Sequence, residues 1–203
     1  MGKKKQHFAN GDPQTFSAKG NKKLLKRIAT KKNWDQLRID KSTRLQLSNL
    51  YNFKSPVNAA VKVEDLPNNT SSTYKVLFAG PAKGKKLTAK LIGNQNSLDV
   101  YRIDLSRLVS KYIGETEKNL EKIFEEAKTN NWILFFDEAD ALFGKRTNVK
   151  DSHDRYASSQ ISYLLQQVNE YPGLIIFSSK NREASANTIP VKFHTIIHFK
   201  KPS

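Results

Sequence analysis

Five short apolar runs separated by helical patterns are the feature that most constrains the fold of this chain. The runs are residues 74–80, 98–105, 132–140, 173–179 and 194–199. Runs without polar alternation are typical of strands buried on both faces, which occur in parallel sheets covered by helices. The segments 116–130 and 158–171 carry apolar residues on one helical face. We therefore predict an α/β fold of three layers, with a five-stranded parallel sheet and helices on both faces.

The residues before these runs predict two further regions. Residues 1–32 hold ten Lys or Arg and a single acid, Asp12. This composition predicts a basic flexible tail over 1–33, with a possible short helix at its end. Apolar spacing after Trp34 predicts one amphipathic helix, followed by a polar linker, over 34–70. The remaining residues, 71–203, form the predicted core domain.

Charge is the unusual feature of the composition. The chain has 35 Lys and Arg against 19 Asp and Glu, a net charge of +16. This balance indicates either an anionic partner, such as nucleic acid, an acidic protein face or phosphate, or a basic surface that only contacts solvent. The absence of Cys excludes disulfides and thiolate metal sites. No apolar run is long enough for a membrane helix and no secretory signal is evident, so we expect a cytoplasmic protein.

The stretch LFAGPAKGKKLTAK, between the first run and a helical pattern, resembles a phosphate-binding loop. Glycines let the backbone approach a phosphate, and the helix N-terminus adds positive potential. Gly80, Gly84 and Lys85 match the usual pattern G-x-x-x-x-G-K-[ST]. The loop is one residue short, however, and Lys86 stands where a hydroxyl is expected. A basic strand-to-helix turn without a ligand is the alternative.

Two acids follow the apolar run WILFF. Asp137 and Glu138 lie where phosphoryl-transfer enzymes place the acid that binds Mg²⁺ and the acid that activates water. Capping of a following helix by Asp137, with Glu138 and Asp140 favoured by the helix dipole, is the alternative. Ligands of parallel sheets bind at the carboxyl ends of the strands, so the glycine loop, Asp137 and Lys180 should converge there.

Two longer stretches add a family resemblance. DVYRIDLSRLVSKYIGETEKNLEKIFEEA and WILFFDEADALFGKRTNVKDSHDRYA resemble AAA-type ATPases, the ring-forming motors with a phosphate loop. The branch that accompanies contractile injection systems is the most similar. The resemblance runs from about residue 34 to the end and is dense over 98–177. It implies the three-layer core of P-loop NTPases.

The resemblance also implies roles for particular residues. Glu138 and Asp137 would be catalytic, and Asp137 would be the Mg²⁺ ligand. The implied nucleotide-binding residues are Gly80, Pro81, Lys83, Gly84, Lys85, Lys86, Leu87 and Lys180. Lys111, Tyr112 and Ile113 match a pore loop that grips a polypeptide, although Tyr112 could equally be a surface aromatic. The expected ligands are ATP or ADP, with Mg²⁺ in doubt.

That doubt comes from departures from the family pattern. Lys180, or Asn181 if the chain bulges, replaces the polar residue that positions water. Val191 and Lys192 replace an arginine pair that acts on the neighbouring subunit's nucleotide, and no helical lid follows the last strand before Ser203. We expect Lys86 to pair with Asp137, and Lys180 to pair with Glu138, so that the two acids are compensated.

Three functions follow as expectations. The first is an ATP-binding protein with weak or lost hydrolysis, acting as a ring subunit or as the regulatory partner of an active paralogue. The second is an active ATPase that remodels a polypeptide client. The third is a binding module whose residues 1–32 contact nucleic acid or another anionic partner without sequence specificity. No membrane partner is expected.

Overall fold

The computed structural model describes residues 24–51, 53, 73–81, 83–106, 108, 116–142, 152–181 and 191–200. Most of the basic tail, most of the linker within 34–70 and the candidate pore loop Lys111, Tyr112 and Ile113 lie outside the described residues. The described residues include six strands and the glycine loop except Ala82.

A six-stranded sheet forms the centre of the fold. Its strands are β1 (Leu25–Arg27), β2 (Tyr74–Ala79), β3 (Val100–Asp104), β4 (Ile133–Asp137), β5 (Leu174–Ser178) and β6 (Thr195–His198). Their order across the sheet is β1-β3-β4-β5-β2-β6. Strands β2 to β6 are mutually parallel, which confirms the five predicted strands, while β1 pairs antiparallel with β3. The predicted count of five was therefore wrong by one edge strand.

Strand β1 lies in the segment that the sequence assigned to a flexible basic tail with a short helix. The helix prediction was wrong, because the three residues Leu25–Arg27 extend along the edge of β3. The backbone N–H of Ile28 donates to the carbonyl of Val100 at 2.8 Å, and the side chains of Leu24 and Ile28 are buried. Pairing satisfies backbone groups that the edge of β3 would otherwise expose, a long-range gain that local composition does not reveal.

Helices cover both faces of the sheet, as the sequence predicted. They are α1 (Lys41–Gln46), α2 (Ser48–Tyr51), α3 (Lys85–Asn96), α4 (Thr116–Asn130) and α5 (Ser152–Glu170). Among the described residues no helix is both long enough and apolar enough to cross a membrane.

Alternate residues along each strand enter two separate apolar cores. Leu77, Phe136 and Phe177 pack with residues of α4 and α5 on one face. Phe78 and Phe135 pack on the other face with residues of α2 and α3 and of the turns beside α1. Because both faces are covered, most strand positions carry apolar residues, which explains the nearly continuous apolar runs in the sequence.

The segment after Asn33 differs from the single amphipathic helix that the sequence predicted. A 3-10 turn, Trp34–Gln36, is capped by the Asn33 side chain, and α1 begins only after Asp40. The Asp40 carboxylate accepts hydrogen bonds from the backbone N–H groups of Ser42 at 2.9 Å and Thr43 at 3.1 Å. Asn and Asp side chains stabilise the start of a helix, but inside a helix they compete with the backbone for hydrogen bonds. Asn33 and Asp40 therefore divide the segment into a 3-10 turn and a separate helix.

Gly80 and Gly84 bound the loop between β2 and α3. Their φ angles of +111° and +113° lie in the region that favours glycine. At Gly80 a Cβ atom would approach the carbonyl oxygen of Phe199 to 2.5 Å, whereas at Gly84 the nearest atom, in Leu37, would lie 3.5 Å away. Both positions require glycine for their positive φ angles. At Gly80 the missing side chain also allows the chain after β6 to pack closely.

Replacing Asp40 by Ala should lower the free energy of unfolding by about 1 kcal/mol, the usual contribution of a helix N-cap. Hydroxyl and backbone donors of Ser42 and Thr43 hold the pKa of Asp40 well below its usual range. This stabilisation is therefore present above the unfolded-state pKa and lost as the pH falls, so the difference from wild type should shrink below about pH 4. Urea unfolding at several pH values measures it, with Asp35→Ala as a matched loss of charge. Equal effects of the two substitutions would contradict the capping role.

Gly80→Ala should destabilise the protein more than Gly84→Ala. Both substitutions carry the cost of a positive φ, about 1–3 kcal/mol, but only the first also forces a clash with the Phe199 carbonyl. Parallel thermal unfolding of the two variants isolates the steric contribution. Equal losses of stability would show that backbone strain alone accounts for Gly80.

Candidate functional site

The carboxyl ends of three adjacent strands, β4, β5 and β2, bring the predicted site residues together. The glycine loop follows β2, Asp137 ends β4, and Lys180 follows β5. The backbone N–H of Gly80 donates to the carbonyl of Asn181 at 3.2 Å, which joins the glycine loop directly to the chain after β5. Convergence at this edge agrees with the location expected for a ligand of a parallel sheet.

Lys85 ties the glycine loop to the end of β5. Its side chain is only 8% exposed, and its ammonium group donates to the backbone carbonyl of Gly80 and to that of Ser179, the latter at 3.0 Å. Burial lowers the pKa of Lys85, and the nearby charges of Asp140 and Asp137 offset part of that effect. In this conformation Lys85 holds the loop together.

Asp137 is compensated by two cations. One carboxylate oxygen, Oδ2, lies 3.1 Å from the ammonium nitrogen of Lys86 and 2.7 Å from Nε of Arg102. The other oxygen accepts a hydrogen bond from the backbone N–H of Glu138 at 3.2 Å. The expected Lys86–Asp137 pair is therefore present. Burial raises the pKa of Asp137, but the hydrogen bonds and charges of Arg102 and Lys86 outweigh this, and the net pKa is lowered.

Arg102 is a site residue that the sequence reasoning missed. Its guanidinium bridges two carboxylates, because Nη2 also lies 3.0 Å from Oδ2 of Asp104. Asp104 and Asp137 are partners in the register of β3 and β4, and like charges in that relation destabilise a sheet unless a cation lies between them. A signal existed: Arg102 and Asp104 are charged residues two positions apart in an apolar strand, hence on one face.

Glu138 forms the second expected ion pair. Its carboxylate lies 3.6 Å from the ammonium nitrogen of Lys180, and the two side chains are 42% and 77% exposed. An exposed pair of this kind contributes little to stability. Glu138 itself has a φ of +57°, a left-handed conformation, and a 3-10 turn, Ala139–Leu142, follows it directly. The alternative in which Asp137 caps an α-helix is therefore not the arrangement found.

Asp140 organises the chain after β5, a role that the sequence did not predict. Its carboxylate accepts hydrogen bonds from the hydroxyl of Ser179 at 2.6 Å and from the backbone N–H groups of Lys180 at 2.9 Å and Asn181 at 3.4 Å. Carboxylates that accept several such bonds fix the local backbone. Asp140 thereby sets where Lys180 and Asn181 stand relative to Glu138.

The remaining predicted positions divide into exposed and buried groups. Pro81 and Lys83 are exposed on the loop, and Leu87 is partly buried in the first turn of α3. Val191 is 4% exposed and belongs to the core on the α4–α5 face, while the Lys192 side chain is exposed. Neither position presents a guanidinium to a neighbouring subunit.

The loop fits a phosphate group. Gly84 is the N-cap of α3 and offers no side-chain cap, so the first backbone N–H groups of this helix lack partners within it. Lys86 lies in the first turn of this helix, and its side chain is 48% exposed. Amides and an ammonium group at a helix N-terminus suit an anion.

Mg²⁺ does not fit the same site as it stands. The ion prefers oxygen ligands in octahedral geometry. Both oxygens of Asp137 are already engaged, and position 86 supplies an ammonium group instead of a hydroxyl. Across the described ranges, no group of three His, Cys, Asp or Glu residues could hold a metal ion.

Comparison with known proteins shows the family. The model of the "ATPase family associated with various cellular activities (AAA)" matches residues 76–200, more than half of the chain. An "Uncharacterized AAA family ATPase y4kL" of Sinorhizobium fredii is 35% identical over 130 residues, which are 63% of this chain and 39% of that protein. The "Cell division cycle protein 48 homolog" of Archaeoglobus fulgidus is 34% identical over 108 residues, 53% of this chain and 15% of that protein. The chain thus spans well under half the length of these relatives.

A solved structure, "Crystal structure of FIGL-1 AAA domain", resembles the fold with a TM-score of 0.62 at 20% sequence identity. The likeness covers 90% of this chain and 59% of that chain. At this identity it supports the fold alone: an α/β sheet with helices on both faces, of the P-loop NTPase type. Since the family model matches most of the sheet and the glycine loop, the chain belongs to the AAA family of ATPases.

Proposed function

We propose that this chain binds ATP or ADP at the glycine loop and hydrolyses ATP very slowly or not at all. The observation that carries the proposal is the engagement of Asp137 by Lys86 and Arg102. An acid at this position of a phosphoryl-transfer site is expected to hold Mg²⁺, which neutralises charge as the phosphoryl group moves. A carboxylate already compensated by two cations of its own chain has little to gain from the metal.

The acid that would activate water is also compensated. The ammonium nitrogen of Lys180 lies 3.6 Å from the carboxylate of Glu138, so the two side chains form an ion pair. Lysine at this position also lacks the amide group with which an asparagine would orient a water molecule. The Lys180–Glu138 pair is more exposed than the Asp137–Arg102 pair, so we expect it to have the smaller effect on catalysis.

The arginine that would act on the nucleotide of a neighbouring subunit is also missing. An arginine finger contributes about 10³–10⁵ in rate in phosphoryl-transfer enzymes. Val191 occupies one of the two corresponding positions as a buried core residue, and Lys192 occupies the other as an exposed lysine. Lysine lacks the planar fork with which arginine contacts phosphate oxygens. A ring of identical subunits would therefore lack this contribution at every site.

These losses favour a structural or regulatory role over a motor role. AAA proteins commonly assemble into rings, and we propose that this chain is a ring subunit with copies of itself or with an active paralogue. From the sequence resemblance over residues 98–177 we propose the branch that accompanies contractile injection systems. We also propose that the chain acts in the cytoplasm on a polypeptide client. An active remodelling ATPase is the main alternative. Anion binding by residues 1–32 would add to either role.

The purified full chain should release no phosphate from Mg·ATP above the level of its Glu138→Gln variant. The physical reason is that three catalytic features are replaced. Lys86 stands in place of a Mg²⁺-binding hydroxyl, and Lys180 in place of an amide that orients water. Val191 and Lys192 stand in place of the finger arginines. Phosphate release over hours, across a range of protein concentrations that allow ring assembly, measures it. Mg²⁺-dependent turnover that Glu138→Gln abolishes would establish the active ATPase instead.

Nucleotide binding should depend on charge at one end of α3. Lys86→Glu should weaken ATP and ADP binding by about tenfold or more, because a negative charge replaces a positive one beside the helix N-terminus. Lys90→Glu reverses the same charge one turn further along α3 and should have a much smaller effect. Isothermal titration calorimetry compares the two, with thermal unfolding to verify that each variant is folded. Equal weakening by both would indicate only nonspecific attraction to a basic surface.

A further inference from the structure

The arrangement around Asp137 has a consequence for the form in which the nucleotide binds. We propose that Lys86 serves as a built-in counter-ion in place of a divalent metal, so that the site takes a nucleoside di- or triphosphate without Mg²⁺. Mg²⁺ then weakens binding instead of supporting it. The inference rests on the proposed nucleotide binding and specifies the chemical form of the ligand.

A Mg²⁺ ion at Asp137 would have to displace contacts that are already present. Mg²⁺ would need Asp137 oxygen ligation at about 2.0–2.1 Å with near-octahedral geometry. The Oδ2 oxygen of Asp137 already accepts from Lys86 and Arg102, and Oδ1 accepts from the backbone N–H of Glu138. A metal ion would have to displace the Lys86 ammonium and then remain close to two side-chain cations.

Arg102 makes that displacement harder. Its guanidinium contacts both Asp137 and Asp104, and its side chain is 23% exposed. Arginine stays protonated throughout the accessible pH range, so this charge cannot be removed to admit a metal. Asp104 is buried on the neighbouring strand, and moving Arg102 away would leave two opposed carboxylates without it. Of the two cations that contact Asp137, Lys86 is therefore the one that a ligand could move, whereas Arg102 stays in place.

Lys86 is placed to contact a phosphate while it remains near Asp137. It lies in the first turn of α3, and its side chain is 48% exposed, whereas that of Asp137 is 16% exposed. An ammonium group has three donors and can serve a carboxylate and a phosphate together. Lys83, exposed on the same loop, adds a further positive charge.

Charge then favours the metal-free nucleotide. Bound Mg²⁺ cancels part of the negative charge of the polyphosphate and brings its own positive charge close to Lys86 and Arg102. A metal-free polyphosphate keeps its full charge and meets amides and ammonium groups only. The chain itself thus supplies the neutralisation that the metal supplies elsewhere in phosphoryl-transfer sites.

The test is equilibrium binding of ATP and of ADP to the full chain, in EDTA and in excess Mg²⁺ at matched ionic strength. We expect binding in EDTA to be about tenfold tighter. Lys86→Thr should reverse this preference, because it removes the ammonium group and supplies a hydroxyl. Lys90→Thr, the same exchange one turn along α3, should keep the wild-type preference. Lys86→Met, which removes only the charge, serves if the threonine variant does not fold.

Electron paramagnetic resonance of Mn²⁺ gives a readout that does not depend on turnover. Wild-type protein with nucleotide should leave Mn²⁺ bound to free nucleotide only, whereas Lys86→Thr with nucleotide should give a protein-bound Mn²⁺ signal. Tighter wild-type binding in Mg²⁺, or identical metal dependence in wild type and Lys86→Thr, would overturn the inference while leaving nucleotide binding intact. Absence of binding in both buffers would instead overturn the proposed function, and the inference with it.

Discussion

Two carboxylates, Asp104 and Asp137, stand opposite each other at the carboxyl ends of β3 and β4, and the site depends on how their repulsion is relieved. Arg102 bridges both, and Lys86 contacts the second. Buried acids without such partners would be costly, so these cations make the acidic strand end compatible with a stable sheet. The same compensation is the basis of the proposal that the site takes a nucleotide without Mg²⁺.

The glycine loop and the chain after β5 form one connected unit around this cluster. Lys85 joins Gly80 to Ser179, and Asp140 holds Lys180 and Asn181 by their backbone N–H groups. Gly80 and Lys85 are therefore fixed to the chain after β5, although the loop is one residue shorter than the usual phosphate loop. Its uncapped helix N-terminus offers amides to an anion, which supports the proposal that the chain binds a nucleotide.

The fold was largely predictable because burial on both faces leaves a strong local signal. Continuous apolar runs predicted β2 to β6, and the amphipathic patterns predicted α4 and α5. Predictions failed where distant pairing or local capping decided the result. Leu25–Arg27 became an edge strand through its bonds to β3, and the segment after Asn33 was divided by the caps Asn33 and Asp40.

The sequence by itself determined the α/β class, the strand–loop–helix character of the glycine loop, and the presence of Lys86 and Lys180 where a hydroxyl and an amide were expected. Only the tertiary structure decided that Arg102 belongs to the site, because its partners are brought to it by the register of β3 against β4. It also decided that Val191 is a core residue. The sequence gives the identity of each residue, but strand order and register determine which charged side chains contact one another.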